Sequence, residues 1–150
     1  MEKSFDTEVL IVGAGLVGSA LAAAFGQVGI STTVVDRDDP AAVLDVGFDG
    51  RASAIALATK RVLDSLGVWP LLEVAPAPIK DIRVSEGESL MFLHYDHREV
   101  GDEPFGYMVE NRHMRQALQA RINELEKIKL VAPAQIDRLE PRAWGVEAAL

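Results

Sequence analysis

No cysteine occurs in the 150 residues of this chain. That absence excludes disulfides, thiolate metal sites, a cysteine nucleophile and the redox-active cysteine pair of a disulfide reductase. Basic charge is scarce as well: 15 Lys and Arg stand against 23 Asp and Glu, for a net charge of −8. Unspecific nucleic-acid binding needs a basic footprint, so no nucleic-acid partner is expected. There is no internal repeat and no low-complexity linker. The three histidines, His94, His97 and His113, form no HxH or HExxH pattern, so no metal site is expected. His94 and His97 read as solvated strand-edge groups and His113 as a residue on the polar side of a helix. No Ser–His–Asp order has motif support, and no catalytic side chain is assigned. Trp69 and Trp144 read as packing groups.

Charge is also missing from Val9 to Ile30. A bilayer span needs ~20 such residues. Here, however, the glycines cluster at the start of the stretch, and the leader MEKSFDTE is acidic on balance rather than the basic flank of a signal peptide. A buried strand and helix explain the apolarity better. Residues 9–36, VLIVGAGLVGSALAAAFGQVGISTTVVD, read as strand, glycine turn, helix, strand and terminal acid. Val9 to Val12 suit a parallel strand buried on both faces. In the fingerprint Gly13-Ala14-Gly15-Leu16-Val17-Gly18, the first glycine makes the turn and the second admits a pyrophosphate. The third lets the helix pack on the strand. The helix then presents free N–H groups to phosphate. Gly29 stands where a C′ glycine ends a helix, Thr32 to Val35 form a β-branched second strand, and Asp36 is set to accept from a ribose hydroxyl. The strand, the helix and the acid at ~20 residues together point to an adenine dinucleotide.

Further along, Asp38-Asp39-Pro40 makes a turn and residues 41–50 a loop. Ile55, Thr59, Val62 and Leu66 recur at helical spacing over Ser53 to Leu66, and Gly67 stops that helix. Ile79 to Val84 and Ser89 to Tyr95 read as a hairpin turning at Glu86-Gly87-Glu88. Gly106 to Val109 is a short strand. Asn111 to Glu126 is an amphipathic helix with Met114, Leu118, Ile122 and Leu125 on one face. Lys129 to Arg138 and Gly145 to Leu150 read as the first antiparallel strands of a meander. The expected fold class is therefore α/β: a Rossmann-like βαβ unit with an inserted antiparallel hairpin and the start of a β-meander. Two or three strands do not complete a doubly wound sheet, so the chain reads as part of a longer protein. Taken alone, Arg51 is a candidate phosphate ligand or a solvated charge beside a helix start, and Asn111 is a ligand contact or an N-cap.

Three stretches, VLIVGAGLVGSALA with VVD, DGRASAIA and GYMVENRHMRQAL, resemble the class A flavoprotein aromatic hydroxylases. They are most similar to the branch that acts on ubiquinone precursors, the octaprenyl-methoxyphenol hydroxylase type. The resemblance covers essentially all 150 residues. It implies that residues 1–150 are the N-terminal part of an FAD-binding domain, with residues 75–109 an insertion on the substrate side. It implies FAD as cofactor, held by Gly13, Gly15 and Gly18 with the Leu16 and Val17 amides at the pyrophosphate, and Asp36 at the ribose. Arg51 would approach the flavin and its phosphates, Asn111 the ribityl–phosphate region, Arg115 a phosphate, and the backbone of Ile136, in a strand after the helix, the adenine. It implies NAD(P)H as reductant, dioxygen, and a small aromatic substrate that a lipid tail would bring to the inner membrane or a biosynthetic complex from the cytoplasm. An NAD-dependent dehydrogenase, a halogenase or prenyl reductase of the same fold, and a non-catalytic module of the GDP-dissociation-inhibitor type are the competing readings. By the same resemblance, this segment alone is expected to hydroxylate nothing and to hold FAD weakly or not at all.

Overall fold

The computed structural model describes residues 6–44, 50–87 and 90–150. Asp49 of the second motif and Glu88 of the hairpin turn lie outside the described residues. Strand β1 (Val9–Val12), helix α1 (Leu16–Gln27) and strand β2 (Thr32–Val35) form a βαβ unit in which β1 and β2 run parallel, with Val9 opposite Thr32 and Val12 opposite Val35. Gly29 ends the helix in the left-handed region at φ +83°, and the Ile30 amide returns to the Phe25 carbonyl at 3.0 Å. These bonds satisfy carbonyls that a helix end leaves open.

Residues 41–44 are not loop. Pro40–Leu44 form a short helix, α2, whose Ala41 amide donates to the Asp39 carboxylate at 2.9 Å. Proline suits a first helical turn because its missing N–H is not needed there. Nor is Ser53–Leu66 one helix. Strand β3 (Ala52–Ala56) leads directly into helix α3 (Leu57–Ser65). Ser53 and Ile55 are half-buried while Ala52, Ala54 and Ala56 are exposed, a period of two. In α3 it is Leu63, with Leu66 just beyond it, that enters the core; Val62 stays 55% exposed. Ile55 fits either period, which is why the helical spacing misleads.

Three short strands follow: β4 (Ala77–Ile79), β5 (Asp81–Ser85) and β6 (Phe92–Asp96), the last two pairing as a hairpin. Strand β7 (Gly106–Glu110) pairs antiparallel with β3 on one side and β4 on the other. Helix α4 (Asn111–Glu124) follows without a break. Strand β8 (Ile128–Val131) is not the start of an antiparallel meander. It lies parallel to β2, with Thr32 opposite Ile128, giving the sheet order β1-β2-β8. Ile128 and Leu130 pack against the cluster formed by Ala22 and Ala23 of α1 and Ile122 of α4, and this burial selects the parallel site. Strands β9 (Arg138–Arg142) and β10 (Gly145–Ala149) form the antiparallel hairpin alone.

Helix α4 joins two hydrophobic clusters. Ile122 packs with Ile11, Ala22, Ala23 and Val34 between α1 and the parallel sheet. Met114, Ala117 and Leu118 pack with Leu63, Leu66, Val68 and Val109. Leu16, the first residue of α1, packs against this second cluster, so the start of α1 and the start of α4 share one end of the molecule. Trp69 meets Tyr107 edge-on at 5.3 Å in the same region. Trp144, by contrast, is 78% exposed and packs no core. Among the described residues no helix is long and apolar enough to cross a membrane.

Candidate functional site

The turn between β1 and α1 is built by two glycines with different tasks. Gly13 takes φ +105°, a backbone region that side-chain-bearing residues rarely enter. Its amide donates to the Val35 carbonyl at 2.7 Å, tying the turn to β2. Gly18 is required for space. A Cβ there would lie 1.9 Å from the Gly13 carbonyl oxygen. Around Gly13 and Gly15 a Cβ would meet nothing within 4 Å, so their outer face is open. Gly15 is the N-cap of α1 and offers no side-chain cap, and the first turn carries no acid. The leading amides, those of Leu16 and Val17 among them, have no intrahelical acceptor, and the positive end of the helix dipole points the same way. An anion with a narrow approach fits there.

Asp36 closes the turn from the other side. One carboxylate oxygen accepts from the Ala14 amide at 2.5 Å and the other from the Asp38 amide at 2.9 Å. Beside it lies an open cleft of ≈ 420 Å³ lined by Val12, Gly13, Val35, Asp36, Arg37, Asp38, Ala134, Gln135 and Ile136. Its far wall is held by the Ala134 amide, which donates to the Asp36 carbonyl at 2.7 Å. Ile136 thus lies at the cleft, but in the irregular segment between β8 and β9 rather than in a strand. Arg37 and Asp38, which the sequence reads as part of a charged, solvated turn, and Gln135, which it gives no role, are cleft residues as well. Their only signal is adjacency to Asp36 and Ile136.

The second half of the site comes from β3 and β7. Their antiparallel register sets Ala52 opposite Glu110. The Asn111 amide donates to the Arg51 carbonyl at 3.0 Å, and Ser53 Oγ donates to Asn111 Oδ1 at 2.6 Å. The second and third motifs therefore meet at one point, the start of α4. Asn111 is not the N-cap; Glu110 is, and its side chain makes no cap bond. Arg51 is exposed, and Arg115 is half-buried one turn into α4. His113 is not on a polar face: its side chain is 14% exposed, 3.5 Å from Glu110, and its Nδ1 is buried. His94 pairs with Asp81 at 2.8 Å. None of the three histidines lines the cleft.

A glycine turn open toward a helix N-terminus, an acid at the end of the second parallel strand and a cleft beyond it define a dinucleotide-binding unit. The pyrophosphate fits the open face of Gly13 and Gly15, and the cleft can take the adenosine half. The chain belongs to the FAD binding domain family, whose pattern matches residues 6–136. It is 50% identical over 143 residues to the ubiquinone hydroxylase UbiL of Rhodospirillum rubrum, covering 95% of this chain and 33% of that protein. It is 36% identical over 132 residues to the 3-demethoxyubiquinol 3-hydroxylase of Escherichia coli, covering 87% and 34%. The chain thus spans about a third of the length of the curated relatives it matches. In fold it resembles the anhydrotetracycline hydroxylase OxyS of Streptomyces rimosus, with a TM-score of 0.73 at 22% identity over 95% of this chain and 27% of that one.

Proposed function

We propose that this chain is the FAD-holding N-terminal part of a monooxygenase that hydroxylates an aromatic ring with NAD(P)H and dioxygen. The ring is that of a ubiquinone precursor. The observation that carries the reading is the meeting of Arg51, Ser53 and Asn111 at the start of α4, at the end of the molecule where Leu16 opens α1. A dehydrogenase would continue in further βα units instead of this antiparallel pair. The identity to the Rhodospirillum ubiquinone hydroxylase supports the substrate class.

Each residue has a physical task in this reading. Gly13, Gly15 and Gly18 admit the FAD pyrophosphate, and the Leu16 and Val17 amides donate to it. Asp36 accepts from the adenosine ribose, and the Ile136 backbone meets the adenine. Arg51 offers a permanent, planar cation to the phosphate and flavin end. Asn111 serves the ribityl–phosphate region, and Arg115 is a further phosphate contact. Residues 75–109 contribute to the substrate side. Bound flavin supplies the electron transfer and oxygen chemistry, while the protein orients it and excludes water. The substrate is lipid-tailed, and the cytoplasmic protein meets it through peripheral contact with the membrane or a biosynthetic complex.

The test is purification of the full-length protein and measurement of NAD(P)H oxidation with a prenylated phenol. The expected result is a yellow protein, oxidation stimulated by the phenol, and a product carrying one more oxygen atom. A colourless protein that takes up no FAD sinks the cofactor reading. A flavin-loaded protein that only makes peroxide sinks the hydroxylase reading.

A further inference from the structure

Ser53 lies inside the second motif and meets Asn111 at the start of α4, but no task toward the ligand has been given to its side chain. It sits at a half-buried position of β3, opposite Val109 of β7. Its hydroxyl reaches across 58 residues of sequence to Asn111 Oδ1 at 2.6 Å. The Asn111 backbone amide is meanwhile fixed on the Arg51 carbonyl.

A primary amide has one acceptor oxygen and two N–H donors. Here the oxygen is taken by Ser53, and Nδ2 makes no hydrogen bond within the described residues. Asn111 is half-buried at the first position of α4, and its Nδ2, unlike the Nδ1 of His113, is not a buried atom without a partner, so the donor end of the amide is open to solvent. An outward N–H pair suits an oxygen-rich ligand such as a phosphate or a polyol. An inverted amide would present an acceptor to the same atoms and repel them.

We propose that Ser53 is a positioning residue that fixes the Asn111 amide with its N–H donors toward the cofactor. The inference rests on the FAD reading of this site. It requires that Ser53 act only through Asn111.

A double-mutant cycle in the full-length protein tests it, read by FAD dissociation constants of the apoprotein, with thermal unfolding of each apo variant measured alongside. Ser53→Ala is expected to weaken FAD binding about fivefold, the scale of one hydrogen bond. Ser53→Thr keeps the hydroxyl and is expected to restore wild-type affinity. In an Asn111→Ala background, Ser53→Ala is expected to add nothing, because the coupled residue is gone. Wild-type affinity in Ser53→Ala overturns the inference. So does equal loss with and without Asn111, or failure of Ser53→Thr to rescue in a variant that unfolds at the wild-type temperature. If the wild-type protein itself binds no FAD, it is the cofactor reading that falls.

Discussion

Gly18 and Gly13 are two halves of one contact, and the numbers say how little room it has. A methyl group at 18 would lie 1.9 Å from the Gly13 carbonyl oxygen, which is backbone and cannot swing aside. Helix α1 would have to retreat from β1, opening the packing of Ala22 and Ala23 on Ile11 and Val34. Gly18→Ala is therefore expected to cost about 1–3 kcal/mol, as overpacking does. Urea unfolding of the full-length protein measures it, and FAD affinity should fall in the same variant. Asp36 is two-sided in a comparable way. Its carboxylate already holds the Ala14 amide, so its removal disturbs the turn as well as any ribose contact.

At the scale of elements, the C-terminal ends of α1, α3 and α4 are fastened by one side chain. Arg121 Nε donates to the Leu66 carbonyl at 2.7 Å, while its terminal nitrogens reach Glu124 at 2.9 Å and Gln27 at 3.4 Å. Arg121→Ala leaves the Leu66 carbonyl without that donor and is expected to cost about 1–3 kcal/mol. A shift in the urea midpoint with no change in slope would be the sign. Which elements were legible in the sequence follows from the range of their contacts. The β1–α1–β2 unit was readable because its glycines, its apolar runs and its acid lie within residues 9–36, although β1 is not buried on both faces: Ile11 is buried and Val12 is 63% exposed. Helix α4 was readable because Met114, Leu118 and Ile122 keep one face. Strand β3 was not, since pairing with β7, more than fifty residues later, makes it a strand. Strand β8 was misread for the same reason: its parallel place beside β2 is set by tertiary burial. The site divides likewise, with Gly13 to Asp36 visible as a motif. The meeting of Ser53 with Asn111 was invisible until the register was known.

For the whole molecule, the two clusters joined by α4 make the glycine turn and the β3–β7 pair one packed body. A ligand that binds only the folded state stabilises it by mass action, by about 2.7 kcal/mol at a hundred times its dissociation constant. Adding FAD to the apoprotein is therefore expected to raise Tm in proportion to the logarithm of FAD concentration, and stripping the flavin to reverse the rise. Differential scanning calorimetry of the full-length protein checks this, and a Tm indifferent to FAD would contradict it. The sheet order β1-β2-β8 carries one more consequence, for the chain as it is made. The near wall of the cleft beside Asp36, Val12 to Asp36, leaves the ribosome early. The far wall, Ala134 to Ile136, arrives a hundred residues later on the heels of β8. For most of that interval β2 has an open edge, a row of unpaired backbone groups that invites wrong partners. The cleft therefore has both its walls only once β8 has docked on β2, and until then the nascent chain carries that open edge.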